Sequence, residues 1–434
     1  LDSIAVVNMI ADSRLAIAEK EHPDARIYDN PAACIAATNK DISTQEIPSP
    51  EDLYQRAQSL KPILEERADK AAELRRLPDE TMKDLKDQGF FKIIQPLSWG
   101  GYEMDPRVYY QVVGILGEAC MTTAWVFSVV GVHNWQMALF DEQAQKEVWQ
   151  DDNSILVSSS YAPMAKVTPK EGGYLISGQW DWSSGCDHCD WVFLGALLDP
   201  TAEGLGGFAT ILIPRKDYSI EDNWYVFGLK GTGSKRIVVK DAFVPDYRIH
   251  KLMDAHNTDS PGNKINKGTL YRLPYGQVFT YSVTIPALGA YKGAFDAWLE
   301  YGKTRVSSFG VEAKTDPGTQ KLAAETATEI REMWNSINNN FEEMTSVVSK
   351  GKPLEINDRT RYRYEASAIV DRCVKGAARL VKASGGASVY LGHKVMQKYI
   401  DIMTTQVHVA NISEPFAINY GGTLLGLENT DFNI

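Results

Sequence analysis

The 434-residue sequence lacks several features that would assign it to a common functional class. No Gly-x-Gly-x-x-Gly opens a helix after a strand-like run, and there is no Walker loop, so the usual signs of dinucleotide and nucleoside triphosphate binding are missing. The segment Gly231 to Lys235 is rich in glycine, but it lies among strand-like residues and has the residue spacing of neither the Gly-x-Gly-x-x-Gly motif nor the Walker loop. We therefore expect no nicotinamide site in this chain.

Cysteine, positive charge and long apolar runs are also scarce. The five cysteines are odd in number and scattered, which is typical of a reducing compartment and not of a disulfide scaffold. A net charge of −11 argues against nucleic acid or an anionic membrane surface as a partner. The longest near-apolar run, Ala124 to Val132, is too short to span a bilayer. Ile4 to Ile10 has no basic residue before it, unlike a secretory signal. We expect a cytoplasmic protein.

A metal site is not expected either. Cys186-Asp187-His188-Cys189 contains a Cys-x-x-Cys, but a closed zinc site needs a second, distant pair of ligands. Adjacent residues on a strand also point to opposite faces of a sheet. We expect these thiols to be packing residues.

The hydrophobic period changes twice along the chain, from helical to strand-like and back. This pattern predicts an N-terminal extension (1–49), an N-terminal helical domain (50–153), a middle antiparallel β-domain (154–253) and a C-terminal helical bundle (254–434). The fold class is α+β, mainly α, because the order α, β, α excludes a βαβ sheet. The extension contains a short amphipathic helix, Ile4 to Glu21. A peripheral extension and an arm packed on a neighbouring subunit are equally open interpretations of it.

Local signals predict several elements. Pro50 opens a helix that continues to Arg76, and Asp105-Pro106 opens another. Strand-like runs are predicted at 154–161, 174–180, 191–198, 209–214 and 235–244. Long helices are predicted at 283–301, 323–349, 360–384 and 394–412.

The stretch Trp180 to Asp190 stands between two strand-like runs and carries two indoles, paired hydroxyls and a glycine. A flat aromatic surface with small hydrogen-bond donors at its rim suits a planar heteroaromatic ring such as a flavin. Tryptophan and serine also end strands in many β-barrels, so a purely structural interpretation stays open.

This stretch carries a family resemblance. Trp182-Ser183-Ser184-Gly185 resembles the Trp-x-Thr/Ser-Asn/Ser-Gly segment of the acyl-CoA dehydrogenase fold. The longer string to His188 is more similar to the oxygenase components of two-component flavin-dependent aromatic hydroxylases, of the p-hydroxyphenylacetate 3-hydroxylase type. The similarity runs from about Pro50 to about Gly426. It implies an acyl-CoA dehydrogenase-like fold with a C-terminal four-helix bundle, and a homotetramer.

The resemblance also implies a reaction. A separate NAD(P)H-dependent flavin reductase would supply reduced FMN, with FADH2 as the other possible cofactor. Dioxygen would add at flavin C4a, and the C4a-hydroperoxyflavin would hydroxylate a phenolic or related aromatic substrate ortho to its hydroxyl. The substrate itself is not specified by the sequence.

Particular residues match the family's cofactor segments. Ser184 would donate a hydrogen bond to flavin N5, through its hydroxyl or its backbone, and Trp182 would lie against the isoalloxazine. Other cofactor contacts implied by the resemblance are Ser183, Ser159, Ser160, Thr232, Ser234 and Arg305. Arg305 matches a flavin-phosphate segment that is often supplied across a subunit interface, and Arg suits a phosphate through its planar fork. Strand-end serines and a surface charge at a helix end are the structural alternatives.

Two histidines match substrate-side positions. His408 would act on the substrate phenol, since an imidazole can take or share a phenolic proton at neutral pH. His133 matches a second substrate-side histidine, and Ser159 would lie at the substrate or near the ring. The family has an arginine that falls on Gly276 here, and Arg272 is a candidate substitute.

Two other functions remain open at this stage. An acyl-CoA dehydrogenase or related FAD oxidase would need a catalytic carboxylate near the C-terminus, where Glu414 is present but out of pattern. A non-catalytic helical assembly protein would bind no flavin.

Overall fold

A computed structural model describes residues 46–204 and 206–431, so the expected helix Ile4 to Glu21 lies outside the described residues. The α-helices of the described part are α1 Pro50–Glu66, α2 Ala68–Leu74, α3 Asp79–Asp87, α4 Pro106–Ala119, α5 Met121–Met137, α6 Glu142–Trp149, α7 Leu252–His256, α8 Tyr275–Thr304, α9 Pro317–Ser349, α10 Ile356–Ser384, α11 Lys394–Thr405 and α12 Ser413–Leu424. The strands are β1 Val157–Ser160, β2 Lys166–Lys170, β3 Gly173–Ser183, β4 Trp191–Leu197, β5 Phe208–Pro214, β6 Tyr218–Glu221, β7 Lys235–Pro245 and β8 Ile249–Lys251.

The predicted helix starts are confirmed by their caps. The Ser49 hydroxyl accepts from the backbone N–H of Asp52, whose carboxylate accepts from the Ser49 N–H in return. The Asp105 carboxylate accepts from the N–H of Arg107 at 2.8 Å. In both helices a proline follows the cap, at the position where a missing N–H costs nothing.

Helix α5 lies in the middle of the molecule. It has no charged side chain, and 16 of its residues are buried. A helix that is apolar on all sides is surrounded by other elements. Here α5 contacts α4, α8, β1 and the turn at 230–232. This position brings side chains of α5 to both the helical and the β parts of the molecule.

The strands form two four-stranded sheets, ordered β1-β4-β5-β8 and β2-β3-β7-β6. Apolar side chains from both sheets pack between them, including Trp180, Ile211 and Ile237, each of which is fully buried. The predicted antiparallel arrangement is wrong for one pair, because β1 runs parallel to β4. A connection through β2 and β3 brings β1 and β4 side by side in the same direction, which no local pattern indicates.

Several predicted boundaries also differ. The helix expected from Pro50 to Arg76 is broken at Arg67, and it ends at Arg75, whose φ is +52°. The strand expected at 154–161 is only Val157–Ser160. Strands β2, β6 and β8 were not predicted. The last predicted helix, 394–412, ends at Thr405, so His408 lies outside it.

The described residues from Ile47 onward form one compact unit, in which the long helices α8 to α11 follow the sheets. The predicted internal domain boundaries therefore stay a prediction. In the ranges that the structure describes, no helix combines the length and the apolarity needed to cross a bilayer.

Candidate functional site

Trp182 lies near the end of β3 in a conformation that a bulky residue seldom adopts. Its φ is +68°, and the register between β3 and β7 shifts between Trp180 and Ser183. A left-handed conformation costs a non-glycine residue about 1–2 kcal/mol, and such strain is concentrated at ligand sites. Trp182 is 68% exposed, whereas Trp180 is fully buried. The chain thus holds an uncovered aromatic face two residues from Ser184, as the flavin prediction expects.

Ser184 belongs to a continuous series of hydrogen bonds, here called the hydroxyl relay. Trp125 donates from Nε1 to Ser184 Oγ at 3.1 Å. The hydroxyl oxygens of Ser184 and Ser234 are 2.7 Å apart, and those of Ser234 and Thr232 are also 2.7 Å apart. The Thr232 hydroxyl donates to the backbone carbonyl of Leu229 at 2.9 Å. The relay therefore joins three of the predicted cofactor residues to the buried helix α5.

The Leu229 end of the hydroxyl relay determines the direction of its hydrogen bonds. Because a carbonyl only accepts, Thr232 uses its proton on Leu229, so Ser234 donates to Thr232 and Ser184 donates to Ser234. The Trp125 indole is only a donor and occupies one acceptor position of Ser184. The backbone N–H of Ser184 is bonded to the Trp182 carbonyl at 3.0 Å. Ser184 therefore offers a lone pair and no free proton, which favours an acceptor role over the predicted donor role, and its role at a flavin stays a prediction.

The serines of β1 and the end of β3 differ in their contacts. Ser160 Oγ donates to the backbone carbonyl of Asp181 at 2.7 Å, so it joins the two strands. Ser159 is half-buried, and the nearby Tyr161 hydroxyl donates to Gln136. The hydroxyls of Ser158 and Ser183 are buried and have no hydrogen-bond partner among the described residues. Buried hydroxyls without a partner are uncommon, and a bound ligand is one way to satisfy them.

His133 lies on α5, roughly two turns after Trp125. Its Nδ1 is 2.6 Å from the Val157 carbonyl, so Nδ1 carries the proton and Nε2 is an acceptor. Burial lowers the pKa of His133 to about 4, so the ring is neutral at pH 7. The ring stacks on Phe279 at 5.9 Å between centroids and meets Tyr161 edge-on at 6.1 Å. In the described part of the chain, Nε2 is buried without a partner.

His408 has the opposite tautomer. It precedes the single turn Val409–Asn411, and its Nδ1 accepts from the Ala410 N–H at 3.2 Å. Nε2 therefore carries the proton of the neutral ring. Burial, with a contribution from the positive charge of Arg363, lowers the pKa of His408 to about 4. The ring meets Trp125 edge-on at 5.8 Å. Trp125 thus contacts both Ser184 and His408.

The two predicted arginines are held by local contacts. Arg305 donates to the Ala383 carbonyl at the end of α10. The partial negative charge at a helix C-terminus stabilises a cation there. Arg272 donates to the Thr269 hydroxyl at 3.2 Å. Arg272 lies just before α8, and Gly276 is the second residue of that helix. The roles expected for these arginines, at a phosphate and at the substrate, stay predictions.

The cysteines of the 184–190 loop pack as buried thiols. Cys186 Sγ lies 3.6 Å from the carbonyl of Gly233, and Cys189 Sγ lies 3.5 Å from that of Gly185. Burial raises the pKa of Cys186 to about 12, so it is a thiol at neutral pH. Its bond to Gly233 holds the loop against the segment that carries Thr232 and Ser234.

Three aromatic residues of the site were missed by sequence reasoning. Trp125 bonds Ser184, while Tyr161 and Phe279 enclose the ring of His133. In the sequence, Trp125 stands out only as part of the near-apolar run Ala124 to Val132. Its position two turns before His133 was the available signal, since such spacing places residues on neighbouring faces of a helix.

These residues fit a flavin. Trp182 provides an exposed aromatic face, Ser184 provides a free acceptor, and the orphaned Ser183 hydroxyl provides a further polar atom. A planar ring with one apolar surface and polar edges matches this set of donors and acceptors.

Two family models match the chain. The acyl-CoA dehydrogenase N-terminal domain matches residues 56–152, and the acyl-CoA dehydrogenase C-terminal domain matches residues 281–412. The predicted acyl-CoA dehydrogenase-like, mainly helical fold is confirmed.

Curated and solved relatives are more specific. The oxygenase subunit HsaA of a flavin-dependent monooxygenase from Rhodococcus jostii is 38% identical, over 87% of this chain and 99% of that protein. The oxygenase component of p-hydroxyphenylacetate 3-hydroxylase from Acinetobacter baumannii is 29% identical, over 87% of this chain and 89% of that protein. The crystal structure of 3-HSA hydroxylase from Rhodococcus sp. RHA1 is similar with a TM-score of 0.84 and 37% identity, covering 88% of this chain and 99% of that one.

Proposed function

Since this chain belongs to the family of oxygenase subunits of flavin-dependent monooxygenases, we propose that it hydroxylates a small phenolic substrate ortho to the hydroxyl. It uses dioxygen and a reduced flavin that a separate NAD(P)H-dependent flavin reductase delivers. Reduced flavin, when bound, supplies the activated oxygen atom. The protein's own contribution is to hold the ring, exclude water and place protons around the reacting atoms.

The observation that carries this proposal is the free lone pair of Ser184 beside the uncovered face of Trp182. Ser184 Oγ would accept a hydrogen bond from the N5–H group of a reduced flavin. By holding that hydrogen in a site that excludes water, Ser184 would limit the loss of oxygen as hydrogen peroxide. Thr232 and Ser234 support this contact through the hydroxyl relay.

The two histidines have different roles at the substrate hydroxyl: one accepts its proton, and the other donates a hydrogen bond to its oxygen. His133 Nε2 is an unprotonated acceptor with no partner among the described residues, and it receives the phenolic proton as the substrate ring gives up electrons. His408 Nε2–H is a donor and stabilises the negative charge that develops on the phenolic oxygen. Ser159 and Arg272 complete the substrate contacts of this proposal.

Other parts of the proposal concern the assembly and the flavin. We place Arg305 at the flavin phosphate of a neighbouring subunit in a homotetramer, because it follows α8 in a segment that is exposed around Phe309, a side chain that is 92% exposed. FMN is the proposed flavin, with FADH2 as the alternative. A cytoplasmic location is proposed as well.

An acyl-CoA dehydrogenase or oxidase is the second candidate within this fold. It would need a carboxylate at the reacting carbon. Glu414 lies in the first turn of α12 and is exposed, and Ser413 beside it is bonded to Asp371. An exposed carboxylate in a first helical turn is not enclosed with a substrate as a catalytic base would be, so the monooxygenase is the better-supported function.

A single-turnover experiment tests the proposal. The protein is mixed anaerobically with reduced FMN and a panel of phenols, oxygenated buffer is added, and hydroxylated product and hydrogen peroxide are measured. We expect product from at least one phenol, and Ser184→Ala should shift the yield from product to hydrogen peroxide. Ser177→Ala, on β3 before Ser184 and bonded to Asp241, is the matched control and should keep the wild-type yield.

Two results would contradict the proposal. Oxidation of an acyl-CoA without incorporation of oxygen would establish the dehydrogenase. An unchanged ratio of product to hydrogen peroxide in Ser184→Ala would remove Ser184 from the site.

A further inference from the structure

The hydroxyl relay ends on a carbonyl that a different element holds in place. Leu229 has a φ of +53°, which is strained for a branched residue. Its N–H donates to Asp401 Oδ1 of α11 at 2.6 Å. Its carbonyl accepts from the Thr232 hydroxyl, from the Thr232 N–H at 3.1 Å and from Trp224 Nε1 at 3.2 Å. Leu229 is therefore fixed on both sides of its backbone.

Asp401 is suited to fix this strained residue. Burial raises its pKa to about 6, while the Leu229 bond and the positive charges of Lys398 and Lys230 lower it, so the carboxylate is ionised at pH 7. A hydrogen bond to an ionised acceptor is stronger than one to a neutral acceptor. Lys398 itself donates to the carbonyls of Glu118 and Ala119, at the end of α4. The anchor of the relay is thus attached to the helix that precedes α5.

We propose that Thr232 and Asp401 are positioning residues: with the Leu229 carbonyl they fix the direction of the hydroxyl relay, and this direction makes Ser184 favour reduced over oxidised flavin. The inference rests on the proposed function, because it requires Ser184 to face flavin N5. In reduced flavin N5 is a donor, and in oxidised flavin N5 is an acceptor. A relay that leaves Ser184 with a lone pair and no free proton matches the first form and opposes the second.

The direction of the relay has a measurable consequence. One hydrogen bond made to the reduced form and not to the oxidised form corresponds to a preference of roughly three- to tenfold in the dissociation constant. Thr232→Val removes the hydroxyl that receives the Ser234 proton and keeps the shape of the side chain. Ser234 is then free to donate to Ser184, and Ser184 is free to donate to N5. The preference should shrink or reverse.

The experiment measures dissociation constants of FMN, oxidised in air and reduced under anaerobic conditions, for the full chain by fluorescence titration. We expect the wild type to bind reduced FMN more tightly than oxidised FMN. Thr232→Val should lower the ratio of the dissociation constant of oxidised FMN to that of reduced FMN by about tenfold. Thr232→Ser keeps the hydroxyl and should restore the wild-type ratio. Thr326→Val, a fully buried threonine on α9, is the matched control and should not change the ratio.

A second variant separates the relay from general damage to the fold. Asp401→Asn keeps an oxygen acceptor for Leu229 but removes its charge, so the ratio should move in the same direction as in Thr232→Val by a smaller factor. Equal weakening of both FMN forms in both variants overturns the proposal, because a purely structural role leaves the ratio unchanged. Failure of the wild type to bind reduced FMN refutes the proposed function instead.

Discussion

His133 permits a substitution that removes one nitrogen and keeps the other contact. In His133→Asn, the amide nitrogen takes the place of Nδ1 and can still donate to the Val157 carbonyl, which His133 contacts at 2.6 Å. The position of Nε2, the orphaned acceptor, is lost. The variant therefore tests the acceptor role of His133 without breaking the bond between α5 and β1.

The expected loss follows from the proton chemistry. A phenol with a pKa near 10 is ionised in about one molecule in a thousand at pH 7. A positioned base contributes typically 10²- to 10⁴-fold to a reaction that moves a proton. Burial holds the pKa of His133 near 4, so the wild-type acceptor is unprotonated from about pH 5 upward. We expect His133→Asn to lose roughly 10²- to 10³-fold in the rate of hydroxylation at pH 7.

The pH dependence decides whether this reasoning is correct. Without the acceptor, the rate should rise about tenfold per pH unit toward pH 10, as the phenolate fraction does, whereas the wild-type rate should be flat between pH 6 and 8. Product is measured in single turnovers with reduced FMN and the best phenol of the panel. His250→Gln is the matched control, because His250 is an equally buried histidine bonded to Ser260. A rate that falls in His133→Asn by the same factor at every pH would refute the acceptor role.

Two further predictions concern strain and acid stability. Trp182→Gly relieves the φ of +68° at a side chain that is 68% exposed, so the free energy of unfolding should stay the same or rise by up to ~1 kcal/mol, while FMN affinity falls. A parallel loss of both in urea and FMN titrations would contradict this. Burial lowers the pKa of His250 to about 4, below its unfolded value of about 6.5, so its contribution is present above pH 6.5 and is lost as the pH falls toward 4. The difference between the two pKa values corresponds to roughly 3 kcal/mol of unfolding free energy. Between pH 6.5 and pH 4, urea titrations should therefore show a loss of stability that is smaller by this amount in His250→Gln than in the wild type. Equal losses in the two proteins would contradict this prediction.

Local signals predicted those parts of the fold that local physics determines. Caps and first-turn prolines located the starts of α1 and α4, because these side chains bond backbone groups of the same turn. The strand β2 was missed because it contains Pro169, it is mostly exposed and it lacks alternation. The parallel pairing of β1 with β4 was missed because it depends on how the intervening hairpin crosses.

In the site, too, some features were predicted from the sequence and others depend on residues that are distant in sequence. The resemblance pointed to Ser184, Thr232 and Ser234, and the structure brings these three hydroxyls into one relay. The direction of their hydrogen bonds depends on the Leu229 carbonyl, and the acceptor positions left on Ser184 depend on the Trp125 indole, so neither was predictable. Both are distant in sequence from Ser184, and neither residue type suggests a proton-directing role.

The backbone fixes the hydrogen positions of all three proposed catalytic groups. The Val157 carbonyl makes His133 Nε2 an acceptor, and the Ala410 N–H makes His408 Nε2 a donor. The Leu229 carbonyl makes Ser184 an acceptor through the relay. A neutral imidazole or a hydroxyl can otherwise serve as donor or acceptor. A backbone group cannot change its role, so these three side chains present one pattern of donors and acceptors before any ligand arrives. Preorganised polarity of this kind costs no reorganisation during the reaction.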